Sequence, residues 1–459
     1  MKSILIKNAR FLICSPFKIL ENGAVYVEGN RIEEVGSTES IRKDADIVID
    51  AKDKIVMPGL VDAHTHIGEA HMFALFGYLK SPLTGIADAL ERVVWPAYVW
   101  MSEESTYDME MFGFLNLLKH GTTTCCDAFM FPDASAKAAI DSGLRVEVAP
   151  TLITSIRLPD AKSPEDALRN IEESIKKWNG AAEGRIRFRV HPSATYNCYE
   201  WFLKECVKIA KKYDVGLATH VAESVDEKQR ADQVWPQGEI KRTYDLGLMG
   251  PKSIFFHSCI LNAEEIALYK ETDTKVAHCP LTNSILGNVA WVPKMLAEGV
   301  TVGLGTDMPT NDLFNVMRIV SEIHNIMPRE PRGLLPWQPF EMATIGGAKA
   351  LNLEKDIGTI EVGKKADIIT LNLKENTRLF PPTSSFLLTL LTINGSGNDV
   401  SDVIVDGKLL MRDRKVLHLD ESKIIENAHK WTEKFLKYYE EKVAKGEPLI
   451  EKVHPEFLP

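Results

Sequence analysis

From residue 55 to residue 305, apolar runs of four to eight residues alternate with stretches of helical periodicity, which restricts the chain to βα units around a parallel sheet. Eight candidate strands read off as residues 55–64, 122–127, 144–149, 186–191, 216–220, 253–257, 275–278 and 300–305. Helix signals fall between them: Ser163 is placed as an N-cap, Pro164 takes the first helical position, and acids fill the first turn of a helix reaching Trp178. Eight such units in roughly 300 residues suit a closed barrel better than an open doubly wound sheet. The expected class is α/β, a (β/α)8 TIM-type barrel over residues 57–362. Short strand patterns at residues 4–6, 24–27 and 47–49 precede it, and strand patterns return at 368–371 and 403–405. The two end segments, 1–56 and 363–416, are expected to join into a small flanking β-sandwich, followed by a C-terminal helix (422–442) and tail within 417–459.

A net charge of −10 supplies no phosphate-neutralising face, which argues against a nucleic-acid partner. Residues 1–10 alternate apolar and polar positions instead of forming a signal core, and no run approaches the roughly 20 apolar residues of a membrane span. Seven scattered cysteines with no CxxC pair suit free thiols in a reducing cytoplasm, with Cys125 and Cys126 as small packing residues.

Catalytic groups of a barrel come from the C-terminal ends of its strands. Here the first strand ends in His64-Thr65-His66, the fifth at His220, the sixth at His257, and the eighth runs into Gly305-Thr306-Asp307. Residues i and i+2 of a strand share a side, so His64 and His66 can reach one ion. One such histidine is ordinarily a satisfied core residue; this many at strand ends point to a metal. Neutral imidazoles with one carboxylate suit zinc or ferrous iron with a position left open for water. His120, His324, His418, His429 and His454 are expected to be structural, and His71 is ambiguous.

The stretch Met57-Pro58-Gly59-Leu60-Val61-Asp62-Ala63-His64-Thr65-His66 resembles the PGFVDxHxH opening of the amidohydrolase superfamily, and residues 358–367 resemble its GxIxxGxxADL return. Within that superfamily, His220-Val221-Ala222-Glu223 is similar to the HxxE motif of the one-metal deaminase branch, which includes methylthioadenosine/S-adenosylhomocysteine deaminases, guanine and cytosine deaminases and triazine hydrolases. Two-metal members need a lysine at the end of the fourth strand, and residues 185–191 contain none. The resemblance implies one divalent metal, zinc first with iron or manganese as alternatives, on His64, His66, His220 and Asp307, with His257 orienting the water beside it. A metal lowers its water's pKa towards about 7; Asp307 can take the released proton, and Glu223 is placed to protonate a ring nitrogen. The expected reaction is loss of ammonia from an amino-substituted N-heterocycle: a purine, an adenosine derivative, a pyrimidine or a triazine.

On the substrate side, the resemblance nominates His191, His278 and Asn283, all of which could equally order loops. Two departures bear on the substrate. Tyr98 stands where the nucleoside enzymes carry a glutamate for the ribose, and Pro150-Thr151 stands where an arginine is expected. A tyrosine stacks or makes one hydrogen bond but does not grip a diol. The Asn311-Asp312 pair instead resembles triazine hydrolases, so release of chloride or an alkylamine is the competing reaction. A non-catalytic barrel is the third reading, and it conflicts with the full ligand set. A small-molecule substrate and self-association, the latter by analogy, complete the expectations.

Overall fold

In a computed structural model, residues 2–308 and 310–450 are described. Eight parallel strands follow one another around the barrel: β1 (Leu60–Thr65), β2 (Thr122–Asp127), β3 (Arg145–Val148), β4 (Ile186–Pro192), β5 (Gly216–Val221), β6 (Ser253–His257), β7 (Lys275–His278) and β8 (Val302–Leu304). Closure runs through a parallel bridge between Thr65 and Asp307, where the Asp307 amide donates to the His64 carbonyl at 3.0 Å. The interior is filled by small and branched side chains, among them Val61, Ala63, Cys126, Ala149, Ala218, Ile254 and Ala277. Among the described residues of this cluster Phe256 is the one large ring, and it underlies the site described below.

The expected first strand, 55–64, is two strands. Lys54–Pro58 pairs antiparallel with Ile368–Asn372 in the sandwich, and only after Gly59 does the chain enter the barrel as β1. The apolar run is continuous because both halves are buried, so composition alone does not reveal the break. Glycine is required at the pivot: a Cβ on Gly59 would lie 2.2 Å from the Thr123 hydroxyl oxygen.

The sandwich is built by both chain ends. A four-stranded sheet (Arg31–Ser37, Gly23–Glu28, Ile4–Ala9, Ile47–Asp50) faces a seven-stranded sheet in which Phe11–Cys14, Lys18–Leu20 and Lys54–Pro58 join four strands from 368–416. Ile6, Val25, Leu12, Val56 and Ile404 fill the space between. Arg145 at the start of β3 ties sandwich to barrel, reaching Asp367 at 3.1 Å and Asp406 at 3.2 Å in a buried cluster.

The helix Pro164–Trp178 starts as read, with the Ser163 hydroxyl accepting from the Asp166 amide. The C-terminal helix, Glu421–Lys445, buries Ala428, Trp431 and Phe435 against Glu103–Lys119 and the short-turn segment Ile67–Tyr78 that follows β1. This packing covers the active-site end of the barrel on one side. His454 lies outside the described residues. No helix among the described residues is long and apolar enough to cross a membrane, and all seven cysteines are free and buried.

Candidate active site

The strand ends bring His64, His66, His220, His257, Glu223 and Asp307 together. Potential ligand atoms of His64, His66 and His220 lie within 4.8 Å of one another, as do those of Glu223, His257 and Asp307. Asp307 Oδ1 is 3.7 Å from His64 Nε2 and 3.5 Å from His66 Nε2. The strand-end backbone is forced to place these groups: Ala222, His257 and Asp307 take left-handed φ values of 47°, 68° and 49°. Each such non-glycine residue costs of order 1 kcal/mol and persists only because its surroundings fix it.

The tautomers follow from the backbone. His66 Nδ1–H donates to the Ala128 carbonyl and His220 Nδ1–H to the Ser193 carbonyl, both at 2.5 Å, leaving each Nε2 lone pair facing the centre. His64 stacks on Phe256, ring centroids 3.7 Å apart, and neither of its buried ring nitrogens has a partner. An orphaned imidazole beside two others with open lone pairs is the arrangement a cation resolves, because it supplies the missing partner to all three at once. Burial holds the rings neutral: His66 is lowered to about 4 and His257 to about 3, while His64 and His220 are lowered well below the usual value by burial and by the neighbouring imidazoles. Burial likewise lifts Asp307 to about 7. A site this poor in charge fits a divalent ion on His64, His66, His220 and Asp307.

Two carboxyl groups face His257. Its Nε2 is 3.6 Å from Glu223 Oε2 and 4.0 Å from Asp307 Oδ2. Burial, then the charges of Asp307 and Asp226, raises Glu223 well above the ordinary carboxyl range, which favours its proton-carrying form. Its backbone is fixed by Glu227, whose carboxylate accepts from the Glu223 amide at 2.6 Å.

The other nominated residues divide. Tyr98 reaches the pocket and donates its hydroxyl proton to Glu69. His191 lies behind the cluster, Nδ1 on the Ala149 carbonyl at 3.1 Å and Nε2 3.3 Å from His220 Nδ1. Asn283 backs His257, its amide nitrogen 3.0 Å from Nδ1. His278 is buried with Nε2 3.2 Å from that of His324, outside the cavity lining. His71 packs against the rings of Trp100 and Phe435 at 5.9 and 5.0 Å.

Three residues that the sequence did not single out matter here. Asp62 is buried and accepts from the Thr306 amide (3.0 Å), the Thr306 hydroxyl (2.6 Å) and the His64 amide (3.3 Å), pinning β1 to the loop that carries Asp307. Its place inside the histidine motif was the available signal. Glu69, three residues past His66, and Glu227, four past Glu223, also line the cavity. The cavity encloses about 570 Å³ and opens at the C-terminal end of the barrel, walled on one side by Phe73, Phe76, Leu83 and Leu90 and on the other by Ile285 and Leu286.

Comparison with known proteins gives similarity along almost the whole chain. The model of the Amidohydrolase family matches residues 55–410. The chain is 36% identical over 436 residues to 5'-deoxyadenosine deaminase of Methanosarcina acetivorans, covering 93% of this chain and 97% of that protein. It is 33% identical over 427 residues to 5-methylthioadenosine/S-adenosylhomocysteine deaminase of Caldanaerobacter subterraneus, covering 92% and 96%. Among solved structures it resembles an adenosine deaminase from Xanthomonas campestris with bound zinc (TM-score 0.87, 25% identity, 95% and 98% covered).

Proposed function

We propose, from the premise that this chain belongs to the amidohydrolase family, that it is a metal-dependent aminohydrolase removing the amino group of an N-heterocycle, with adenine nucleosides the first substrates to test. The observation that carries this reading is a buried glutamic acid, Glu223, set against three neutral imidazoles and a carboxyl group at one cavity floor. The relatives' names, which specify deamination of adenosine derivatives, support it.

In this reading His64, His66, His220 and Asp307 hold one divalent ion, zinc by preference. When bound, it supplies Lewis acidity and brings water's pKa from about 15.7 towards about 7. The protein's own groups then divide the proton work. Asp307, its Oδ2 4.0 Å from His257 Nε2 at the cavity floor, accepts the proton of the attacking water. His257, with Nε2 between Glu223 and Asp307 and Nδ1 against Asn283, orients that water. Glu223 delivers its proton to the ring nitrogen beside the carbon under attack, so the ring accepts the electron pair as the C–O bond forms. A proton returned to the exocyclic amine lets the C–N bond break, releasing ammonia and a ring carbonyl. An acid held protonated by burial is what an amine leaving group needs and a chloride does not, which favours deamination over dechlorination.

Zinc-loaded protein assayed for ammonia release against adenine nucleosides, free purines, cytosine and aminotriazines tests the reading. Release from one ring class, abolished by chelation, is the expected result. Silence across the panel at one zinc per chain overturns deamination.

A further inference from the structure

The turn that carries Glu223 and one wall of the cavity are joined through the Asp226 carboxylate. Residues 81–94 form that wall: Leu83, Ile86, Ala89, Leu90 and Val93 line the same cavity as Glu223. The segment is braced within itself. The Asp88 carboxylate accepts from the Thr84 amide at 3.0 Å and from Arg92 at 2.9 Å, and Arg92 also donates to the Ser81 carbonyl at 3.1 Å. It is therefore held, or displaced, as a unit. Its far end widens at Leu90–Val94, where the Trp95 amide reaches back five residues to the Leu90 carbonyl, a geometry common at functional sites.

Asp226 lies outside the cavity lining, in the first turn of the helix Val225–Val234, and both of its oxygens are committed. Oδ2 accepts from the Ala87 amide at 3.3 Å, and Oδ1 accepts from the hydroxyl of Ser224, the residue next to Glu223. That hydroxyl caps the helix by accepting from the Glu227 amide, and the Glu227 carboxylate in turn accepts from the Glu223 amide at 2.6 Å. A planar carboxylate thus connects the wall to the hydrogen bonds that set the Glu223 backbone. Gly85 is a second, independent sign of this contact. Its φ of 166° and ψ of −175° are extended backbone open to any residue, so conformation does not call for glycine. Space does: a Cβ there would stand 2.6 Å from Asp226 Oδ2 and closer still to Oδ1.

Building on the aminohydrolase reading, we propose that Asp226 is a positioning residue, a latch that ties the wall 81–94 to the turn carrying Glu223, so that the proton donor is held in its working place when the wall is seated on the cavity. Asp226 touches neither the substrate space nor the metal ligands; it acts through Ser224 and the cap of its own helix.

Hydrogen exchange on the zinc-loaded full-length chain reads the latch without any substrate. Asp226→Ala and Gly85→Ala should each raise exchange about tenfold in both 81–94 and 222–227, with zinc content unchanged. The Gly85 variant decides most, because its change lies wholly in the wall and its effect on 222–227 has to pass through Asp226. Ammonia release from 5'-deoxyadenosine reads the consequence. Both variants should lose about 10- to 100-fold in kcat with KM within about threefold, as a displaced proton donor would. In the double variant the added methyl no longer meets a carboxylate, so its kcat should match that of Asp226→Ala alone. On the Glu223→Gln background, Asp226→Ala should cost less than about twofold more, since the group it positions is gone. Asp226→Asn drops the charge that helps raise Glu223 but keeps an oxygen for Ala87 and a partner for Ser224. It should stay within about threefold of wild type, and it serves if Asp226→Ala does not fold. No rise at 222–227 in Gly85→Ala overturns the latch. A change confined to KM, a kcat loss that persists on the Glu223→Gln background, or an Asn variant as slow as the Ala variant overturns positioning through Glu223. Coupled exchange without ammonia release from any ring tested overturns the aminohydrolase reading while the latch stands.

Discussion

Replacing Glu223 by glutamine tests the proton chemistry with little disturbance to anything else. The residue is 3% exposed, and its backbone is held from below by Glu227, so an isosteric amide fits the same space. Burial and the charges of Asp307 and Asp226 raise the pKa of Glu223 well above the usual value, which favours its neutral form. Exchange for a neutral amide therefore changes the net charge of the site little, and ligand geometry at His64, His66 and His220 should be retained. The amide can still donate a hydrogen bond, but it cannot release the proton that the ring nitrogen takes up. General acid–base catalysis is worth about 10²–10⁴ in rate, or about 2.7–5.4 kcal/mol at 1.36 kcal/mol per decade. The prediction is a kcat for ammonia release lowered by that factor, with KM within about threefold, one zinc per chain and an unchanged melting temperature. In wild type the activity should also decline as pH rises through the raised pKa of Glu223, because the acid form is the working form. A variant keeping more than a tenth of wild-type kcat at full zinc occupancy would refute the assignment, and another donor would have to be found.

Removing the metal with a chelator should abolish turnover and lower the thermal midpoint, both restored by zinc; activity persisting at under a tenth of an ion per chain, by elemental analysis, would remove the metal from the mechanism. His71→Leu addresses the buried imidazole between Trp100 and Phe435, lowered by burial from 6.5 to about 4. The unfolded chain takes up a proton below pH 6.5 that the folded chain refuses until about 4, so the wild type loses stability on acidification through that window. The difference between variant and wild type should grow by about 3 kcal/mol from pH 7 to pH 4, measured by urea titration; a pH-independent difference would show that His71 is not held neutral. Arg145→Ala leaves Asp367 and Asp406 buried without their shared cation, at a cost of about 3–5 kcal/mol, which should appear as a lower denaturation midpoint with zinc content intact. A midpoint within experimental error of wild type would mean that this cluster does not hold the barrel to the sandwich.

Much of this protein was readable without coordinates because the relevant information is local. A strand buried on both faces must be apolar along its length, and a catalytic group must follow its end, so the alternation from residue 55 and the residues His64, His66, His220, His257 and Asp307 carried the barrel and the cluster together. The three-residue step from His220 to Glu223 is likewise a local relation, and it placed the acid beside the cluster. What the tertiary structure decided concerns contacts between residues far apart in the chain. Gly59 divides one apolar run between two sheets because Thr123, more than sixty positions away, leaves room for nothing larger. Asp62 became a clamp on Asp307 only when the first and eighth strands met. Asn283 and His191 stand behind histidines instead of in the cavity, and His278 turns towards His324, because side-chain direction at a strand end depends on backbone angles and packing that residue identity does not encode. Tyr98 illustrates the same limit: its identity suggested a missing acid, whereas the fold sets its hydroxyl against Glu69, 29 residues earlier.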